Sequence, residues 1–372
     1  MRRLSPLESG TGPIVRYAGR EVILLSSNDY LGLATHPEVV RASIRATEQY
    51  GAGSGASRLV SGTLPPHVRL ETSLATFKGT AAALLFGAGY LANIGVIPNL
   101  IGQGGLVLAD RLCHASLIDG CRLSRADFRI FRHRDCAHLE SLLRRRKPDR
   151  PALIITEGVF SMDGDLAPLS DLASLAERYD ATLYVDDAHG TGIMGPMGRG
   201  TIEQFGLEQR IPFHMGTLSK AMGSYGAYIV GTHDLIQYLI NVARPFIFTT
   251  ALPPAIAAAA VAAIEVIQRE PERRMRLWSN RQRLFNGMQK LGFRMTETVS
   301  PILPIVVGDA STASAFAERL LTHGIYASAI RPPTVPDGTS RIRFTVTSEH
   351  TTEQIDEALH ALNLAGRETG LL

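Results

Sequence analysis

Two short segments hold the residues best suited to chemistry. In Leu183-Tyr184-Val185-Asp186-Asp187-Ala188-His189-Gly190 an apolar run delivers two carboxylates and an imidazole. In Gly216-Thr217-Leu218-Ser219-Lys220-Ala221-Met222-Gly223 a lysine sits among small residues. Such a lysine can be desolvated, which lowers its pKa towards nucleophilic use. It is one of only four lysines among 38 basic residues, the others being Lys78, Lys147 and Lys290. Lysine, unlike arginine, can give up its proton. Asp186 and Lys220 are 34 residues apart, which fits one further crossover between strands. A carboxylate facing a lysine is what a pyridoxal phosphate site needs. The lysine forms the Schiff base, and the carboxylate keeps the pyridine nitrogen protonated so that the ring can accept electrons. Read singly, Asp186 could cap a helix and Lys220 could be a surface cation. Together, at strand ends among glycines, they favour a site.

Other groupings carry less. Gly51-Ala52-Gly53-Ser54-Gly55-Ala56 spells a dinucleotide fingerprint, but that motif needs a strand before it and a helix after it. Here a helical pattern, 37–50, precedes it, so a flexible loop is expected. His133, Cys136 and His138 lie in an arginine-rich stretch without a fourth ligand nearby and read as a solvated loop rather than a metal site. Cys113 and His114, adjacent on an extended segment, point in opposite directions and do not form a nucleophile–base pair.

The elements that must position these groups follow from periodicity. Short apolar runs at 82–86, 106–109, 128–131, 152–156, 182–186, 213–216 and 227–230 alternate with helical patterns such as 166–178. That rhythm predicts an α/β fold with a mostly parallel, buried sheet of seven strands flanked by helices. From Pro253 the character changes to an alanine-rich helix, an arginine-rich helix, and then strands at 302–307, 326–330 and 341–346 mixed with helices. The expected division is an N-terminal arm of turns (1–40), a large cofactor-binding domain (41–250) and a smaller C-terminal α+β domain (251–372). At 372 residues with 45% hydrophobic content and a net charge of +3, the chain is neither disordered nor suited to nucleic acid. Its most apolar run, Ala255 to Ile264, is too short to cross a membrane. Cys113, Cys121 and Cys136 are an odd number without paired spacing, and no signal peptide is legible, so a reducing, cytoplasmic setting is expected.

The chemistry-bearing segments resemble the α-oxoamine synthase family of fold-type-I pyridoxal phosphate enzymes. Family-like stretches run almost end to end: Ser26 to Leu33, Gly51 to Gly62, Asp110 to Gly120, Thr156 to Asp165 and Phe248 to Pro254, beside the two segments above. The resemblance implies an acyltransferase that joins an amino acid to an acyl thioester with loss of carbon dioxide, working as a homodimer with shared sites.

The resemblance also implies roles. Lys220 would hold the cofactor and then take the amino acid's Cα proton, and Asp186 would pair with the pyridinium nitrogen. His189 would hydrogen-bond the cofactor's phenolic oxygen, with Ser161 on the same side. His114 would stack on the ring and meet substrate. Gly89 and Tyr90 would offer N–H groups to the phosphate at a helix N-terminus, Thr217 would add a hydroxyl, and Thr250 would reach the phosphate from the partner subunit. Asn28 would sit near the amino acid, and Arg343 would grip its carboxylate through two parallel N–H···O bonds. Ala329-Ile330-Arg331-Pro332-Pro333-Thr334-Val335-Pro336 resembles the branch that uses L-alanine and a pimeloyl thioester, of coenzyme A or a carrier protein, in biotin biosynthesis. Thr334, Arg331 and Arg2 would then contact substrate. Rival readings are a glycine C-acetyltransferase within the family, or an aminotransferase or lyase sharing the Asp–Lys pair.

Overall fold

The computed structural model describes residues 4, 6–296 and 298–372; Arg2 lies outside them. Two strands come first, β1 (Ile14–Tyr17) and β2 (Arg20–Leu24). The middle of the chain supplies β3 (Ala82–Phe86), β4 (Leu106–Asp110), β5 (Asp127–Phe131), β6 (Ala152–Glu157), β7 (Thr182–Asp186), β8 (His214–Thr217) and β9 (Ala227–Gly231). The last part supplies β10 (Ile302–Gly308), β11 (Ile325–Tyr326), β12 (Ser328–Ile330) and β13 (Ser340–Thr345). The described chain forms two compact units: a larger one of residues 36–160 and 166–270, and a smaller one of residues up to 35 with 161–165 and 271–372.

The larger unit is built on the expected seven-stranded sheet, in the order β3-β9-β8-β7-β6-β4-β5. Only β9 runs antiparallel to its neighbours. Alternate side chains of each strand enter different clusters. Leu153, Ile155 and Tyr184 join the core under the Gly89–Leu100 helix, whereas Ile154, Leu183 and Val185 join the core under the Leu169–Arg178 helix. A sheet covered on both faces needs apolar residues at every position, which is why these strands read as unbroken apolar runs. The polar residues that close the strands, Asp186 and Glu157, therefore stand out at one edge. The Pro254–Arg269 helix packs on the Pro37–Tyr50 and Pro65–Lys78 helices of the same unit. The units thus divide at residue 270, later than the change in composition at Pro253 suggests.

The smaller unit holds two three-stranded sheets, β1-β2-β11 and β10-β13-β12. The first corrects the expected arm of turns. Tyr17 pairs with Arg20, leaving Ala18 and Gly19 as a two-residue loop with φ of 48° and 73°. Two left-handed residues give the tight turn whose twist matches its strands. Alanine tolerates that conformation poorly, so no Asn-Gly or Gly-Gly signal announces the hairpin.

Two further expectations change. Cys136 and His138 lie on the Cys136–Arg144 helix, capped by Asp135, rather than in a loop. His133 is half-buried, 2.9 Å from Asp110 and edge-on to Phe160. Among the described residues no group of His, Cys, Asp and Glu could hold a metal ion. The Gly51–Ala56 stretch follows a helix and precedes none until Pro65, so the dinucleotide reading falls away as expected.

Lys78, one of the four lysines, is consumed by structure. Its Nζ lies 3.5 Å from Asp187 Oδ2, with both side chains almost fully enclosed, and donates to Thr191 and to the Arg199 carbonyl. Thr201 adds its N–H and hydroxyl to Asp187. Burial lowers the Lys78 pKa and raises that of Asp187, but each charge is met. Breaking such a pair strands the other charge, so Lys78→Met should cost about 3–5 kcal/mol of stability in urea unfolding. A loss below about 1 kcal/mol would show that the pair does not hold the turn after β7.

Candidate active site

The strands β3, β4, β6, β7 and β8 all point the same way, and the candidate residues of the larger unit cluster after their C-terminal ends. Ligands of open α/β sheets bind at that edge. Asp186 closes β7 and is only 6% exposed. Its Oδ1 accepts the Ala188 N–H at 3.0 Å and its Oδ2 accepts Asn93 Nδ2 at 2.8 Å. Lys220 follows β8 and is half-buried. Its positive charge disfavours the charged form of His114 and partly offsets the rise in the Glu157 pKa that burial causes. His189 is buried in the turn after β7.

His114 caps the Ala115–Leu123 helix after β4. Its backbone N–H donates to Glu157 Oε1 at 2.6 Å, and its Nδ1 lies 2.8 Å from Ser116 Oγ. Burial holds the imidazole below its ordinary pKa, with the Asp186 charge opposing and Lys220 reinforcing. Gly89 and Tyr90 open the Gly89–Leu100 helix after β3, and Ala88 provides no side-chain cap. The first N–H groups of a helix lack partners within it and suit an anion. A Cβ at Gly89 would come within 2.8 Å of the Met215 Cε, the movable end of a flexible side chain. Thr217 Oγ1 donates to the Gly226 carbonyl at 2.9 Å and lies 2.8 Å from Ser219 Oγ. Thr250 is placed elsewhere in this unit. It is exposed, bridged to Ser57, and lines a small cavity with Arg58 and Phe86.

In the smaller unit β13 carries Arg343, which is buried but for 7% of its surface. Its Nε donates to the Ser161 carbonyl at 2.6 Å, and Nη1 and Nη2 both donate to Asn28 Oδ1 at 3.1 Å. Tyr30, raised in pKa by burial, stands 3.4 Å from Nη2. The expected substrate residues Asn28 and Arg343 are thus brought together with Ser161, expected as a cofactor contact. Arg331 donates to Ser314 at 3.0 Å, and Thr334 is exposed.

Sequence reasoning missed the residues behind these. Asn93 is a fully buried polar side chain on a mostly apolar helix, a pattern that was legible. Glu157 closes β6 in register with Asp186. Paired positions on parallel strands project to the same face, and two carboxylates that close cannot both ionise freely.

The chemistry of the larger unit's set fits pyridoxal phosphate: an uncapped helix start for the phosphate, an anchored carboxylate for the pyridine nitrogen, and a lysine for the aldehyde. The pattern of the class I and II aminotransferases matches residues 20–362. The chain is 49% identical to the 8-amino-7-oxononanoate synthase of Anaeromyxobacter dehalogenans over 97% of its own length and 90% of that protein. It is 45% identical to 8-amino-7-oxononanoate synthase 1 of Bacillus subtilis, over 99% and 94%. Serine palmitoyltransferase from S. paucimobilis, solved with a bound PLP–myriocin aldimine, superposes with a TM-score of 0.97 at 37% identity, covering 99% of this chain and 94% of that one. An 8-amino-7-oxononanoate synthase from Francisella tularensis gives 0.80 at 29%, covering 93% and 98%.

The chain belongs to the class I and II aminotransferase family and, within it, to the 8-amino-7-oxononanoate synthases. It is a pyridoxal phosphate-dependent acyltransferase of fold type I.

Burial, with the Asp186 charge second, pushes the Glu157 carboxyl from 4.5 up to about 8. Between these values the unfolded chain releases this proton while the folded chain keeps it, so stability falls as pH rises through the window and levels above it. Glu157→Gln should remove that fall. Urea midpoints of the cofactor-free protein should therefore favour the variant progressively from about pH 5 to about pH 8. Parallel profiles for variant and wild type would mean that Glu157 ionises normally.

Proposed function

We propose that this enzyme condenses L-alanine with a pimeloyl thioester, of coenzyme A or a carrier protein, to give 8-amino-7-oxononanoate, carbon dioxide and the free thiol in biotin biosynthesis. The observation that carries this reading is near-full-length identity of 45–49% to proteins named for that product. When bound, pyridoxal phosphate supplies an electron sink for charge developing at the substrate's Cα. Lys220 takes the Cα proton on Nζ, and Asp186 holds a proton at the pyridine nitrogen. His189 would hydrogen-bond the phenolic oxygen, Ser161 would contact the cofactor near its phenolic side, and His114 would stack on the ring. Gly89, Tyr90 and Thr217 hold the phosphate, joined by the partner subunit in a homodimer through its copy of Thr250.

Arg343 orients the amino acid by its carboxylate, replacing bonds now made to Asn28. Arg331 and Thr334 read the acyl substrate. Free Cys113, Cys121 and Cys136 support a cytoplasmic setting, and among the described residues no helix is long and apolar enough to cross a membrane.

The backbone likeness to serine palmitoyltransferase gives a second reading, a longer acyl donor with a different amino acid. Carbon dioxide release should be measured for three pairs: pimeloyl-CoA with L-alanine, palmitoyl-CoA with L-serine, and acetyl-CoA with glycine. The first pair should have the highest kcat/KM; a higher value for either other pair overturns the substrate assignment. Arg343→Ala should raise the alanine KM and Arg331→Ala the pimeloyl thioester KM, each about ten- to hundred-fold for a lost charge-assisted bond. Equal loss towards both substrates in both variants would contradict the division of labour.

A further inference from the structure

A chain of hydrogen bonds joins Asp186 to His114. Tyr184, fully buried two residues before Asp186, donates its hydroxyl to Asn93 Oδ1 at 2.8 Å. Asn93 Nδ2 faces Asp186 Oδ2 at 2.8 Å and Ser116 Oγ at 2.9 Å. Ser116 Oγ lies 2.8 Å from His114 Nδ1, and the Ser116 N–H reaches the same nitrogen at 3.3 Å. Asn93 and Ser116 are shut off from water.

The direction of each bond follows from one fixed charge. An ionised carboxylate only accepts, so Asn93 must turn its NH2 group towards Asp186 and its carbonyl towards Tyr184. The second NH2 hydrogen then goes to Ser116 Oγ. A hydroxyl has one hydrogen of its own, and His114 Nδ1 is the acceptor in reach. The longer Ser116 N–H contact to the same nitrogen, at 3.3 Å, acts in the same sense as the 2.8 Å hydroxyl bond, so the nitrogen is bare. The ring proton then sits on Nε2, since the bond at one imidazole nitrogen sets the state of the other. The ionisable groups acting on the ring are Asp186 and Asp119, which favour its charged form, and Lys220, which opposes it. Glu157 fixes only the backbone of His114.

We propose that Asn93 is a positioning residue: oriented by the Asp186 charge, it acts through Ser116 to lock His114 as the Nε2–H tautomer. His114 then offers substrate a hydrogen-bond donor and cannot serve there as a base. The inference rests on the reading that His114 meets substrate, but not on which thioester is used.

The test is tautomer assignment by long-range proton–nitrogen NMR of holoenzyme labelled with 15N-histidine, with the resonance identified from His114→Asn. The wild type should show a bare, pyridine-like Nδ1 and a protonated, pyrrole-like Nε2. Asn93→Leu frees the Ser116 hydroxyl from its donor and leaves only the longer Ser116 N–H contact to hold Nδ1, so both nitrogens should shift part-way towards values averaged between tautomers. A protonated Nδ1 in the wild type, or an unchanged spectrum in folded Asn93→Leu, overturns the proposal. If Asn93→Leu does not fold, the wild-type assignment alone decides. Turnover with palmitoyl-CoA in place of pimeloyl-CoA would sink the substrate reading and leave this result untouched.

Discussion

A single buried negative charge organises the larger unit. Asp186 ends a strand whose buried residues before it are Leu183, Tyr184 and Val185, and it is held by one backbone N–H and one side-chain amide. Burying a carboxylate is costly unless hydrogen bonds or an opposite charge meet it. Two donors are provided by the fold, and in the proposed reading the pyridine nitrogen of the cofactor would bring a cation to the same carboxylate. The arrangement is prepared for a cation before that cation arrives.

The consequences spread outward through neighbours. Glu157, in register with Asp186, stays protonated to about pH 8, because burial and a fixed carboxylate beside it both oppose a second charge. It remains available to accept the His114 N–H. Asp187, the next residue, takes the opposite solution. It faces Lys78 and Thr201, and this pair pins the turn that carries His189. Adjacent carboxylates in the sequence thus meet burial in different ways, one by pairing within the fold and one by waiting for a ligand.

Much of this was legible in the sequence. Apolar runs announced the sheet, since its central strands, buried on both faces, have few polar positions to confuse the pattern, whereas β5 at its edge carries Asp127 and exposed Arg129. Asp186 and Lys220 were legible because charged residues rarely close such runs without cause. The β1–β2 hairpin was not, because its turn uses Ala18 where glycine or asparagine is usual. Lys78 was noticed for its rarity, but its burial depends on a helix meeting a turn more than a hundred residues away, which no local pattern records. Glu157 acts through other residues, and its meaning appears only once strand register is known; Asn93 was legible as a polar position on a mostly apolar helix, but its partners were not. Arg331 and Thr334 were read from resemblance alone; the structure gives Arg331 a partner in Ser314 and leaves their substrate role to experiment.

The central claim is that the negative charge of Asp186 drives proton removal from the amino acid. Its most direct measurement is exchange of the L-alanine Cα proton with deuterated solvent, followed by NMR in holoenzyme carrying Asp186→Asn, without any thioester. The variant keeps the shape and loses the charge, so exchange should fall to the solvent background while cofactor remains bound. Exchange at the wild-type rate would contradict the account.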